Sequence, residues 1–252
     1  MAKVSATWDA REWRGRGVFV TGGTGFLGSH VVDRLAGAGA RVTCLVRDVP
    51  SLSRFGLEDM AARVRCEPGR LEDFDRLCAI LRAEKPDAVF HLAAQPIVLE
   101  ARREPFPTLD ANVRGTYHLL EAVRRHAPVS RVVVVASDKV YGEAAHLPYR
   151  EDDVLGGLDV YDASKVCVDV LARSYARNFD MAIAVARAGN FYGPGDSQWS
   201  RIVPGTVRSL FEGVAPTLRS DGRPLRDYFY VEDAADALLL LGEAARAKDV
   251  RG

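Results

Sequence analysis

Short apolar runs and longer amphipathic stretches alternate along the first three quarters of this chain. Residues 18–21 (VFVT) are strand-sized, rich in β-formers and end in glycines. Residues 26–38 follow with apolar positions at helical spacing and close at Gly39. The same alternation predicts a strand over 41–46, a helix over 74–82, a strand over 88–92 and a helix ending near His126. A strand over 131–136 with a VVVV centre, a long helix over 161–179 and a strand over 182–187 come next. Nearly continuous apolar strands separated by helices are covered on both faces, so the expected class is α/β with a doubly wound parallel sheet. After Gly189 the texture changes. Glycine and proline thicken through GNFYGPGD, Pro204, Gly213, Pro216, Gly222 and Pro224, and only short, irregular strands are expected before a last helix over 231–247. Two parts follow: a sheet domain over residues 1–188, and a small, partial C-terminal substrate lobe over 189–252, interleaved with the sheet and folded over its carboxyl edge.

Composition narrows the partners. At 48% hydrophobic and 27% charged, the chain is neither disordered nor a disulfide scaffold. Thirty-four basic residues balance thirty-four acidic ones, and a neutral chain offers no overall field to nucleic acid. The N-terminal MAKVSATWDAREWRGRG holds no apolar core, and no run reaches the length of a membrane span, so neither leader nor membrane is expected and the cytoplasm is. Cys44, Cys66, Cys78 and Cys167 each sit in an apolar stretch and are expected to be buried, reduced thiols. No His or Cys pair has chelating spacing, so no metal site is expected.

The first strand runs into Gly22-Gly23-Thr24-Gly25-Phe26-Leu27-Gly28 and then a helix. Gly22 permits a tight turn, Gly25 lets backbone approach a pyrophosphate, and Gly28 lets helix and strand pack closely. The helix N-terminus would face the anion. This is a dinucleotide fingerprint, and the fold it implies is of the Rossmann type. At the end of the second strand an acid usually holds the ribose of NAD, whereas an arginine suits the 2′-phosphate of NADP. Here the chain reads Val46-Arg47-Asp48. Arg47 favours NADP over NAD; otherwise Arg47 faces solvent and Asp48 takes the ribose.

Tyr161 and Lys165, four apart, share one face of the long helix. A phenol of pKa ~10 is a weak base at neutral pH, but an ammonium and a positive nicotinamide ring favour the phenolate. Lys165 can also hold a ribose hydroxyl. Ser137-Asp138-Lys139 follows the VVVV strand, and ligands of open α/β sheets bind outside the carboxyl ends of strands. The bland alternative has Asp138 capping a turn and Lys139 solvated.

These residues, with HLAAQ at 91–95, Asn112 in NVRGT, SDKVYG at 137–142, YDASK at 161–165, RAGNFYGPGD at 187–196, RIVP at 201–204 and RDYFYVED at 226–233, resemble the extended short-chain dehydrogenase/reductases. Within them the chain is similar to the nucleotide-sugar epimerase/dehydratase family, over nearly its whole length. The resemblance implies that Ser137, Tyr161 and Lys165 are the catalytic triad. It implies that Phe26, Leu27, Leu71, Ala93, Ala94 and Gln95 line the cofactor. Arg70 stands where an acid usually precedes the adenine-flanking Leu71. Asn190, Arg201 and Arg226 are implied to meet the substrate's nucleotide and phosphates, a role that a guanidinium fork suits.

The reaction is the finer question. A 4,6-dehydratase needs an acid and a base directly after the catalytic serine, and those places hold Asp138 and Lys139. Asp-Lys, with EDDVLGGLDVYDASK and GD before RIVP, is similar to the CDP-glucose 4,6-dehydratase subgroup. A 4-epimerase or 4-reductase would do without the pair, and a catalytically silent NAD(P)-binding scaffold is the reading from another class. The expected substrate is a nucleotide-diphosphate hexose. The resemblance also implies a homodimer through the segments 108–126 and 161–179. Family members continue past the VED helix, so the lobe is expected to belong either to a short natural variant or to a truncated chain.

Overall fold

In a computed structural model, which describes residues 7–128, 130–143, 146–218, 220–223 and 225–245, the apolar runs become strands of one parallel sheet. The strands are β1 (Gly17–Thr21), β2 (Arg41–Val46), β3 (Arg65–Pro68), β4 (Ala88–His91), β5 (Arg131–Val135) and β6 (Ile183–Ala186), in the spatial order β3-β2-β1-β4-β5-β6. The helices, in chain order, are α1 (Ala10–Trp13), α2 (Phe26–Gly37), α3 (Arg54–Leu57), α4 (Phe74–Glu84), α5 (Val98–Arg103), α6 (Pro105–Leu109), α7 (Gly115–His126), α8 (Val160–Phe179), α9 (Ile202–Phe211) and α10 (Val231–Ala244). A π-helical turn, Asp110–Arg114, joins α6 to α7 without a break in helical backbone.

The period of two along each strand sorts its side chains between two cores. Phe19, Val89, Val132 and Val134 face α4, α7 and α8. Val18, Val20, Phe90 and Val133 face α2 and α10. Trp13 of α1 closes the second core: it is 1% exposed, lies 5.5 Å from the Phe90 ring and donates its indole N–H to Glu243 at 3.0 Å. Gly242 of α10 is what lets the helix lie there, because a Cβ would come within 2.9 Å of both rings.

Three expectations need correction. β3 carries no apolar run and was not predicted; it is a polar edge strand held to the sheet by β2, and Arg76 and Arg65 pair with its Glu67. The lobe is not only short strands. β7 (Asn190–Tyr192) and β8 (Tyr228–Tyr230) form a small separate parallel ladder, but residues 202–211 are helical. Pro204 is tolerated there because it falls in the first turn, where backbone N–H groups have no partner within the helix. Cys44 and Cys78 are buried as expected, whereas Cys66 on edge strand β3 and Cys167 on the outward side of α8 are exposed. The last helix is helical from Val231 to Ala244; residues 246–247 of the expected span lie outside the described residues.

Candidate active site

A cleft of about 550 Å³ opens at the carboxyl ends of β1, β4 and β5. Its floor is the glycine loop. Gly22 has φ +76°, and a Cβ on it would strike the backbone N of Ala93 at 2.6 Å. A Cβ on Gly28 would collide with the carbonyl oxygen of Gly22, so helix and loop meet only because residue 28 is glycine. Gly25 is the N-cap of α2 and no side chain caps the helix, so its first-turn N–H groups face the cleft. This cradle fits the pyrophosphate of a dinucleotide such as NAD(P).

Phe26, Leu27, Arg47, Asp48, Leu71, Ala93 and Ala94 also line the cleft. Arg47 and Asp48 pair with each other at 3.2 Å on the exposed end of β2. Arg70 pairs with Glu72 at 3.5 Å. Gln95 does not line the cleft. Its amide is turned into the chain, where Nε2 donates to the Ile97 carbonyl and Thr108 Oγ1, and Oε1 accepts from the Ile97 N–H.

Ser137, Asp138, Lys139, Tyr161 and Lys165 are brought together on the far wall. Ser137, two residues past β5, is in extended backbone and caps a 3-10 turn: its Oγ accepts the N–H of Lys139 at 3.2 Å and donates to Asp138 at 3.0 Å. The cap is therefore Ser137, not Asp138. Tyr161 and Lys165 rise on the first turns of α8. Burial pushes the Tyr161 phenol up to about 12, and the neighbouring Ser137 hydroxyl works in the other direction. Burial also pulls the Lys165 ammonium down to about 8. Lys165 Nζ donates to the Val135 carbonyl at 2.8 Å, which leaves its other protons for a ligand. Lys139 forms no ion pair among the described residues.

A buried polar chain, unseen in the sequence reading, fixes that wall. Ser164 Oγ donates to the Tyr161 carbonyl at 2.6 Å and receives Asn112 Nδ2 at 2.9 Å. Asn112, from the π turn, also accepts the Gln95 N–H at 2.7 Å. Thr116 Oγ1 donates to the Asn112 carbonyl at 2.5 Å, and His91 lies between Thr116 at 2.9 Å and Thr21 at 2.8 Å. The signal available was polar residues closing apolar strands: Thr21 ends VFVT and His91 ends AVFH. A second support is Arg187, which pairs with fully buried Asp169 of α8 at 2.7 Å and donates to the Tyr141 hydroxyl at 2.9 Å. It ties β6, α8 and the turn after Ser137 into one piece.

The lobe supplies the remaining wall. Asn190, Arg201 and Arg226 all border the cleft. Arg201 pairs with Asp196 at 3.0 Å, and Arg226 is exposed.

The family model described as "NAD dependent epimerase/dehydratase family" matches residues 18–251, and the chain belongs to that family. It is 36% identical over 213 residues to the CDP-glucose 4,6-dehydratase of Salmonella typhimurium, an alignment that takes in 80% of this chain and 59% of that one. Its fold is similar to that of DesIV, a dTDP-glucose 4,6-dehydratase from Streptomyces venezuelae solved with NAD bound: TM-score 0.82, 30% identity, 92% of this chain and 73% of the other. It is also similar to the UDP-glucose 4-epimerase of Thermotoga maritima, with TM-score 0.81, 29% identity and coverage of 88% and 72%.

Proposed function

We propose that this chain is an NAD(P)-dependent nucleotide-sugar 4,6-dehydratase, which converts a hexose on a nucleoside diphosphate to its 4-keto-6-deoxy form with loss of water. The observation that carries the reading is Asp138 and Lys139 in the same cleft as Ser137, Tyr161 and Lys165. We assign the cofactor to residues 1–188 and the substrate to residues 189–252. The glycine loop and α2 would hold NAD(P), which would supply a two-electron acceptor at C4 and a two-electron donor at C6. Tyr161 accepts the proton of the C4 hydroxyl. Its burial opposes the phenolate; Lys165, one turn further along α8, would favour it, and bound NAD(P) would add positive charge beside it. Ser137 holds the phenol and the same hydroxyl. The resulting 4-keto group acidifies C5–H. Lys139 receives or directs that proton and gives it back to C5 when the electron pair reaches C6, while Asp138 donates a proton to the departing C6 hydroxyl. Asn190, Arg201 and Arg226 receive the nucleotide and its diphosphate.

No helix among the described residues is long and apolar enough to cross a membrane. We place the protein in the cytoplasm, where its four free thiols stay reduced, and propose that it works as a homodimer.

The test is the fate of a nucleotide hexose deuterated at C4. A 4-keto-6-deoxy product with deuterium at C6 is expected. Tyr161→Phe should abolish turnover, and Asp138→Asn should slow elimination by ~10²–10⁴-fold while sparing C4 oxidation. A 4-epimer with its 6-hydroxyl intact, formed equally well by Asp138→Asn, sinks the dehydratase reading in favour of an epimerase. Cofactor binding with no turnover of any nucleotide sugar points to a silent scaffold.

A further inference from the structure

Between β7 and α9 the chain turns through Gly193-Pro194-Gly195-Asp196. The Asp196 side chain is 2% exposed. Its Oδ1 accepts from the Gln198 N–H at 3.1 Å and from Arg201 Nη1 at 3.0 Å. Its Oδ2 is buried and has no hydrogen-bond partner among the described residues. A buried carboxylate with one oxygen unsatisfied is a poor device for stability. What it does hold is an arginine.

Arg201 stands at the start of α9 with its side chain 35% exposed, and it borders the cleft. Its guanidinium lies 5.9 Å from the ring centroid of Phe26, the first residue of α2, and its charge is felt at the Tyr161 hydroxyl. It therefore sits where the dinucleotide loop meets the substrate side. The turn that carries Asp196 is itself pinned. His30 of α2, 1% exposed, bonds the Pro194 carbonyl through Nε2 at 2.9 Å. Arg54 faces Nδ1 at 3.4 Å and can only donate, so Nδ1 is the acceptor and Nε2 carries the proton. A neutral ring is what burial and the neighbouring Arg54 favour.

We propose that Asp196 is a positioning residue for Arg201: it holds one arm of the guanidinium, so that the substrate's diphosphate meets a fork already oriented. The proposal rests on the reading of Arg201 as a diphosphate ligand. Two effects of Asp196 oppose each other. Its charge weakens the positive field that a diphosphate feels, while its acceptor oxygen fixes the fork. Ordering a free arginine on binding costs affinity, and fixing it beforehand removes that cost. Asp196→Asn keeps an acceptor and removes the charge; Asp196→Ala removes both.

The experiment is calorimetric titration of CDP into the NAD-saturated protein, with NAD binding and the melting temperature measured alongside. Asp196→Ala should weaken CDP about three- to tenfold, the order expected for one unordered side chain. Asp196→Asn should bind CDP at least as well as the unmodified chain, and both variants should keep their NAD affinity. In an Arg201→Ala background Asp196→Ala should add nothing. Equal CDP affinity in the Ala and Asn variants overturns the proposal. So does a loss that persists without Arg201, or one that NAD binding shares. Should Asp196→Ala not fold, Arg201→Lys keeps the charge without the fork and should lose a similar factor; unchanged affinity there also overturns it. If the unmodified chain does not bind CDP, or Arg201→Ala binds it equally well, the reading of Arg201 itself falls, and the proposal with it. An Arg201→Ala loss with no Asp196→Ala loss removes the proposal alone.

Discussion

His91 shows how much one side chain can be constrained by its neighbours. Thr116 has a single hydroxyl proton and gives it to the Asn112 carbonyl, so toward His91 it offers only lone pairs. Nε2 must then carry the ring proton, and Nδ1 accepts from Thr21. A second ring proton, on Nδ1, would require the Thr21 hydroxyl to turn its own proton away. Burial, reinforced by the charge of Lys165, pulls the imidazole down to about 3. A histidine with a depressed folded-state pKa takes up its proton more readily once unfolded, so acid favours unfolding. Stability should therefore be intact above pH 6.5 and should fall as pH drops toward 3, by up to roughly 1.4 kcal/mol per pH unit from this group. Denaturant titrations across that range check it. His91→Gln should be less stable at pH 7 but show a shallower acid slope; an unchanged slope would remove His91 as the cause. Nothing in the sequence joined residues 21, 91, 112, 116 and 164, because contact between them exists only once β1, β4, the π turn and α8 are assembled. Tyr161 and Lys165 were legible for the opposite reason: their relation is a spacing within one helix.

Elements were legible where burial wrote a period into them. β1, β2, β4, β5, β6, α2, α4 and α8 carry such patterns, and their predicted bounds differ from the observed ones by a few residues at most. β3 does not, since an edge strand pairs on one side and three of its four residues, Arg65, Cys66 and Pro68, are exposed. α1 is too short to show a period, although its Trp13 is a core residue. The end of β2 carries a testable choice. Arg47 and Asp48 neutralise one another there in the exposed state. A 2′-phosphate gives Arg47 a doubly charged partner, whereas a ribose hydroxyl suits Asp48. NADP should bind more tightly than NAD, and Arg47→Ala should cost NADP about tenfold, the lower end for a charge-assisted pair at an exposed site, with NAD unaffected. Fluorescence titration of both dinucleotides checks this. Equal or tighter NAD binding by the unmodified chain transfers the role to Asp48.

At the scale of the whole molecule, α7 and α8 pack against each other and still present apolar side chains outward. Tyr117, Val170 and Phe179 are exposed there, with Leu109 just before the π turn. Such a face on adjacent helices suits isologous pairing about a two-fold axis. Light scattering at micromolar concentration should give twice the chain mass, and Val170→Glu should shift it toward the monomer. A monomeric mass for the unmodified protein would end the dimer proposal.

The place of α10 has a consequence for how the protein is made. Phe90, Val133 and Val20 are the middle of a sheet completed by residue 186, yet the helix that covers them with Trp13 begins at Val231. A ribosome emitting the chain from its N-terminus thus releases the sheet with that side covered only by α2 and Trp13, and keeps it so while some forty further residues are added before α10 begins. That interval is when the nascent chain is most exposed to chaperones and to its own neighbours on the polysome.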